Sequence, residues 1–129
     1  MPEATKRQTL EQKRADYAWE KIEEINQMDE KTRKKYGSIA RKAPILVLTN
    51  GLGPTLAYLL GKDEAHQFLY NHVQSWIFPT QTPVEGDKTL IKYIGKCSSA
   101  EYRRLTMEAL AILNWIKRFA EATLPTEEG

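Results

Sequence analysis

A chain of 129 residues, 41% hydrophobic and 28% charged, has the composition of an ordinary globular protein; this excludes wholesale disorder and leaves enough chain to bury about two-thirds of its unfolded surface. The longest apolar run, Ala43 to Leu48, falls far short of the roughly 20 residues that cross a bilayer, and no apolar stretch behind Met1 reads as a signal peptide, so a cytoplasmic protein with no membrane partner is expected. The formal net charge is only +2, and Cys97 is the single cysteine, which excludes an internal disulfide and a thiolate metal cage.

Thr9-Leu10-Glu11-Gln12 has the form of a capping box. Behind it Ala15, Ala18, Trp19, Ile22 and Ile25 recur at steps of three and four, with Asp16, Glu20 and Glu24 as an acidic row beside the stripe, which predicts a long first helix. Asp29 caps a second helix with apolar positions Tyr36, Ile39, Ala40 and Ala43, and Pro44 is expected to bend or restart it. Ile45 to Thr49 reads as either a buried strand or a buried helical turn; with no second β-branched run to pair with, helix is favoured. Asn50-Gly51 supplies a left-handed stop and Gly53-Pro54 a restart, with Leu56, Ala57, Leu59 and Leu60 buried before Gly61 ends the element. Asp63 caps the next helix, whose inner face holds Ala65, Phe68, Leu69, His72, Val73, Trp76 and Ile77.

Pro79, Pro83 and Gly86 mark a loop at 79–88, followed by a short helix around Leu90, Ile91 and Ile94. Ser98-Ser99-Ala100-Glu101 is a second capping box, opening a last helix on Tyr102, Leu105, Ala109, Ile112, Ile116 and Phe119 that Pro125 ends. The fold class is therefore all-α: a single-domain helical bundle over residues 1–129, of about five to seven helices, with long amphipathic first and last helices and tails fraying at 1–8 and 124–129.

Residues that could carry catalysis are few. His66 and His72 are six apart, so a helix does not bring them together on one metal, and His72 on the apolar face reads as a satisfied core histidine. Asp63 is better explained as a cap than as half of a dyad with His66. Gly51-Leu52-Gly53 lacks the third glycine and the strand–helix setting of a dinucleotide site, and Cys97 has no convincing base. No enzyme, no cofactor and no metal are expected.

Charge is segregated along the chain instead. Residues 1–30 sum to −3, residues 31–62 to +7 with no acid among them, residues 63–87 to −4 and residues 88–118 to +5. On the second helix Lys31, Lys34, Lys35, Ser38, Arg41 and Lys42 share one face, a basic ridge on the order of 16 Å long at 1.5 Å per residue, with only Glu30 in intrahelical reach. Arg103, Arg104, Lys117 and Arg118 form a second basic set on the last helix, near Trp115, which reads as a covered core residue before it reads as a stacking platform. Such cations on rigid helices suit phosphate contacts, and equally an acidic protein partner.

Leu46-Val47-Leu48-Thr49-Asn50-Gly51-Leu52-Gly53, followed by Leu56-Ala57-Tyr58-Leu59, resembles the central signature of the small all-helical subunit of Cmr-type CRISPR effectors, the fifth-numbered Cmr protein family of type III-B RNA-guided complexes. Glu11-Gln12-Lys13-Arg14-Ala15, Ala40-Arg41-Lys42-Ala43-Pro44, Tyr102-Arg103 and the run from Leu113 to Ala120 agree with it, in order, from about Thr9 to Thr123. The resemblance implies a non-catalytic, all-α subunit in antiviral defence. Its partners would be other Cmr subunits, copies of itself in a stacked filament, and CRISPR RNA and target RNA bound without regard to sequence. At motif positions Arg14, Arg41, Lys42, Arg103, Lys117 and Arg118 become candidate RNA or neighbour contacts; Lys34 and Lys35 rest on the ridge alone. The loop from Phe78 to Lys88 matches no fixed pattern of the family. A protein–protein scaffold without RNA contact is the alternative.

Overall fold

The structure, a computed structural model, describes residues 8–79 and 88–127. Six helices follow in chain order: α1 (Leu10–Asn26), α2 (Glu30–Asn50), α3 (Leu52–Gly61), α4 (Glu64–Ile77), α5 (Thr89–Ile94) and α6 (Ser99–Thr123), with no strand among the described residues. Apart from Gln8, Pro79 and Lys88, the tail expected at 1–8 and the loop expected at 79–88 lie outside the described residues.

Local chemistry starts four of these helices where the sequence places their caps. The Thr9 box is complete: the Gln12 N–H donates to Thr9 Oγ1 at 3.1 Å and the Thr9 N–H to Gln12 Oε1 at 2.8 Å. Asp29 accepts from the Thr32 N–H and Asp63 from the His66 N–H. The second box is only half formed. Ser98 Oγ accepts from the Glu101 N–H, but the Glu101 carboxylate is taken by Arg104 at 2.6 and 2.8 Å and by the Tyr93 hydroxyl at 2.9 Å, so it does not return to the cap.

α2 does not restart at Pro44; it runs unbroken through it, and Pro44 is itself buried. An interior proline costs a helix about 3 kcal/mol. Here Tyr36, Ile39, Ala40, Ala43 and Val47 form one buried stripe on both sides of it, and tertiary packing of that stripe holds the helix together. Gly51, at φ +94°, then serves as C-cap of α2 and N-cap of α3 at once. It offers α3 no side-chain cap; the Tyr102 hydroxyl on α6 supplies one by accepting the Gly53 N–H at 2.8 Å.

α6 is the central element. It buries Leu105, Ala109, Ile112, Leu113, Ile116 and Ala120, and α1 and α2 meet mainly through it rather than through each other. Short α5 lacks a side-chain cap of its own and is held by α4: Gln74 Oε1 accepts from both the Tyr70 hydroxyl and the Leu90 N–H at 2.7 Å, and Tyr70 Oη accepts the Ile91 N–H at 3.1 Å. His72 is buried as expected, against the Tyr36 hydroxyl at 2.8 Å through Nδ1, and burial pushes its pKa down to about 3.

Several expected core residues differ, Phe68, Trp76 and Ile77 of α4 being half-buried. Ala57 is exposed, Leu60 is half-buried, and Trp19 is 40% exposed because it sits at the α1–α6 rim, edge-on to Phe119 at 5.1 Å. Residues 124–127, read from the sequence as the start of a fraying tail, lie back across α2. Leu124 is buried, its carbonyl accepts from Arg41 Nη2, and the Glu127 N–H donates to Ser38 Oγ at 2.9 Å. A Cβ on Gly37 would meet the Pro125 carbonyl oxygen at 2.1 Å, so only glycine permits this crossing.

Candidate nucleic-acid interface

The basic ridge of α2 is present in register but is not continuous. The segment 124–127 crosses it at Ser38 and Arg41, and Glu127 sits with Lys31, Lys34 and Lys35 around a shallow depression. Arg41 spends its guanidinium on backbone carbonyls, Gly37 O at 3.1 Å and Leu124 O at 3.2 Å. Lys34 pairs with Glu30 at 3.4 Å, the intrahelical partner the sequence allows. Lys35 pairs with Asp63 at 3.5 Å, a partner from the next loop that intrahelical spacing does not reveal. The Asp63 carboxylate also accepts from the His66 backbone and lies 2.7 Å from His66 Nδ1. Lys31 and Lys42 are exposed and hold no carboxylate among the described residues.

Arg14 is committed to the fold. Its Nε and Nη2 reach the two oxygens of Glu108 on α6 at 2.8 and 2.6 Å, and Nη1 reaches Glu11 at 2.9 Å. The Trp76 indole N–H closes on the same Glu108 at 2.7 Å. Arg14 holds Glu108 below the ordinary carboxylate range, and the guanidinium is pushed up in turn. Of the α6 cations, Arg103 and Arg118 are exposed and Lys117 is half-buried, none with a carboxylate partner among the described residues; Arg104 belongs to Glu101.

Two features differ from the sequence reading, which ranks Trp115 first as a covered core residue and takes Ile45 to Thr49 as buried. Trp115 is a half-buried wall of an open groove of about 630 Å³ between α1 and α6, lined by Glu11, Arg14, Ala111, Asn114, Trp115 and Arg118. Its place on α6 beside Arg104, Ala111 and Arg118 was the available signal. The second is an apolar rim on α2 and α3. Ile45 is 58% and Leu48 67% exposed, and Tyr58 stands beside a smaller groove of about 310 Å³ floored by Ile39, Leu46 and Thr55, whose Oγ1 is buried without a hydrogen-bond partner among the described residues. Ile45 to Thr49 is thus helical, with its largest side chains facing outward.

No helix is long and apolar enough to cross a membrane, and no group of three or more His, Cys, Asp or Glu could hold a metal ion, both among the described residues. Residues 10–123 match the family model described as CRISPR-associated protein (Cas_Cmr5). The chain is 34% identical over 114 residues to the CRISPR system Cmr subunit Cmr5 of Thermus thermophilus, an alignment covering 85% of this chain and 91% of that one. The fold is similar to the crystal structure of a CRISPR-associated Cmr5 family protein from the same organism, with a TM-score of 0.76, 32% identity, and coverage of 89% of this chain and 97% of that one.

Proposed function

The chain belongs to the Cmr5 family, and from that premise we propose that it is a non-catalytic subunit of a cytoplasmic Cmr CRISPR ribonucleoprotein, a single domain that contacts guide and target RNA through phosphate and packs against copies of itself and other Cmr subunits. The observation that carries the RNA reading is the exposed cations of the two longest helices that have no carboxylate partner among the described residues: Lys31 and Lys42 on α2, Arg103 and Arg118 on α6. Unpaired lysine and arginine on a fixed scaffold neutralise phosphates without reading sequence. Lys117 extends the α6 set, and Lys34, whose ion pair with Glu30 is exposed and weak, extends the α2 set. Arg14 and Arg41 hydrogen-bond within the fold and Lys35 pairs with Asp63, so these three are read as structural.

A scaffold reading is favoured by an apolar surface that adjoins Lys42. Ile45, Leu48 and Tyr58 expose apolar area beside a groove, which suits protein contact better than RNA. The two readings meet at Lys42, which lines this groove, while Lys31, Arg103 and Arg118 lie outside its lining.

The test is binding of the full chain to a labelled single-stranded RNA across a salt series, beside a Lys31/Lys42/Arg103/Arg118→Glu variant that spares the structural cations. Binding that weakens steeply with salt and disappears in the variant supports the RNA reading. No binding by the wild type at low salt overturns it for the free subunit and assigns these cations to acidic protein surface.

A further inference from the structure

The α1–α6 groove does more than the phosphate contacts require. Trp115 is pinned on its polar edge, its indole N–H donating to Glu11 Oε1 at 3.2 Å, and it is backed by Phe119 with ring centroids 5.6 Å apart. Phe119 in turn meets Trp19 edge-on. The indole is thus held in one orientation by α1 and by its own helix, while its remaining surface lines a groove large enough for a nucleobase and its sugar. A tryptophan kept only for the core would be fully covered; this one is half-buried, packed on the core on one side and open to the groove on the other.

The charges around the ring favour a polyanion carrying a π-face. Arg118 stands at the groove wall, exposed and without a carboxylate partner among the described residues, and Lys117 is its neighbour in sequence. The one acid lining the groove, Glu11, shares Arg14 with Glu108, and the single net negative charge of that trio is outweighed by Arg118 and Lys117. Asn114, also exposed on the wall, brings an amide with both donors and an acceptor, which any base edge can use. Ala111 forms a small-residue floor that leaves room beneath the ring.

Resting on the RNA reading above, we infer that the α1–α6 groove takes one unpaired nucleobase of a single-stranded RNA, stacked on Trp115, with Arg118 on the adjoining phosphate. A protein filament beside an RNA that exposes unpaired bases gains from such a site, because stacking tolerates any base and adds to affinity without adding sequence preference. It also explains why the free cations of α6 flank an aromatic residue rather than a plain polar face.

The experiment compares the full chain's affinity for a single-stranded RNA and for an abasic strand of the same length and charge. Stacking one base on an aromatic side chain gives the RNA at least about a fivefold advantage. Trp115→Ala removes that advantage and leaves abasic binding unchanged, while Trp115→Phe keeps most of it. Ala111→Leu fills the space beside the ring while keeping Trp115 and every charge in the sequence, and removes the advantage in a chain whose circular dichroism matches the wild type. Equal affinity of the wild type for both strands, or an advantage that survives Trp115→Ala and Ala111→Leu, overturns the base site and leaves the phosphate reading standing. Failure of both strands to bind at low salt overturns both together.

Discussion

Arg14 and Glu108 are joined across 94 residues of sequence by two hydrogen bonds, one to each carboxylate oxygen, in the seam between α1 and α6. Arg14 is mostly buried, at 14% side-chain exposure, so removing its partner leaves a cation with little water to replace it. Glu108→Ala is expected to lower the unfolding free energy by about 2 kcal/mol in urea titrations. Arg14→Lys recovers little, because an ammonium cannot fill both oxygens at once. Neither change alters the salt dependence of RNA binding.

His72 makes stability fall on the acid side of neutrality. Its folded pKa, about 3, lies below the ordinary value of 6.5 given by the unfolded chain. Above pH 6.5 both states are neutral and the group is silent; as pH falls from 6.5 toward 3 only the unfolded state takes up the proton. Stability therefore drops by up to about 1.4 kcal/mol per pH unit. Tyr36 and Tyr17 face the imidazole and its backbone, and nearby Lys21 opposes its charge. His72→Gln, which keeps a partner for Tyr36, should flatten the profile between about pH 6.5 and 5 in thermal melts.

Gly37→Ala separates two effects that usually run together. A helix gains about 1 kcal/mol from the exchange, but the new Cβ collides with the Pro125 carbonyl and displaces residues 124–127. Arg41 then loses its Leu124 acceptor and Ser38 its Glu127 donor. The expected result is rapid proteolysis after α6, with the helical core intact and RNA affinity raised as the α2 ridge is uncovered.

Gln74→Leu should detach α5 without unfolding the rest. The substitution strips an acceptor from the Tyr70 hydroxyl and from the Leu90 N–H together. A loss of about 2–3 kcal/mol is expected, with the Leu90 and Ile91 amides showing the largest increase in hydrogen exchange.

Each true phosphate contact has its own signature in salt. Lys42→Gln, Arg103→Gln and Arg118→Gln should each reduce the slope of log affinity against log salt by about 0.7 on a single strand. Lys35→Gln should leave the slope alone, because its charge is spent on Asp63.

Most of the architecture was readable because its causes are local. Thr9, Asp29, Asp63 and Ser98 each bond an N–H three residues ahead, and the three-four alternation of α6 reports its own buried face. What escaped the sequence depends on partners far along the chain. The role of Gly37 needs Pro125, the orientation of Gln74 needs α5, and the continuity of α2 through Pro44 needs the core that packs around it. The candidate site divides in the same way. Charge and helical spacing show where the cations are, but only the fold shows that Arg14, Lys35 and Arg41 are engaged while Lys42, Arg103 and Arg118 are free of carboxylates among the described residues.

The central place of α6 sets an order of events during synthesis. α1 has little to pack on until α6 has left the ribosome, whereas α2 already has α3 and α4. From Asn26 to Ser99, translation at about 5–20 residues per second takes roughly 4–15 s. Throughout that interval Ile22 and Ile25 belong to a nascent helix whose apolar stripe lacks its main cover. The core therefore closes around α1 only after α6 is made, and a chaperone has several seconds of open hydrophobic helix to hold.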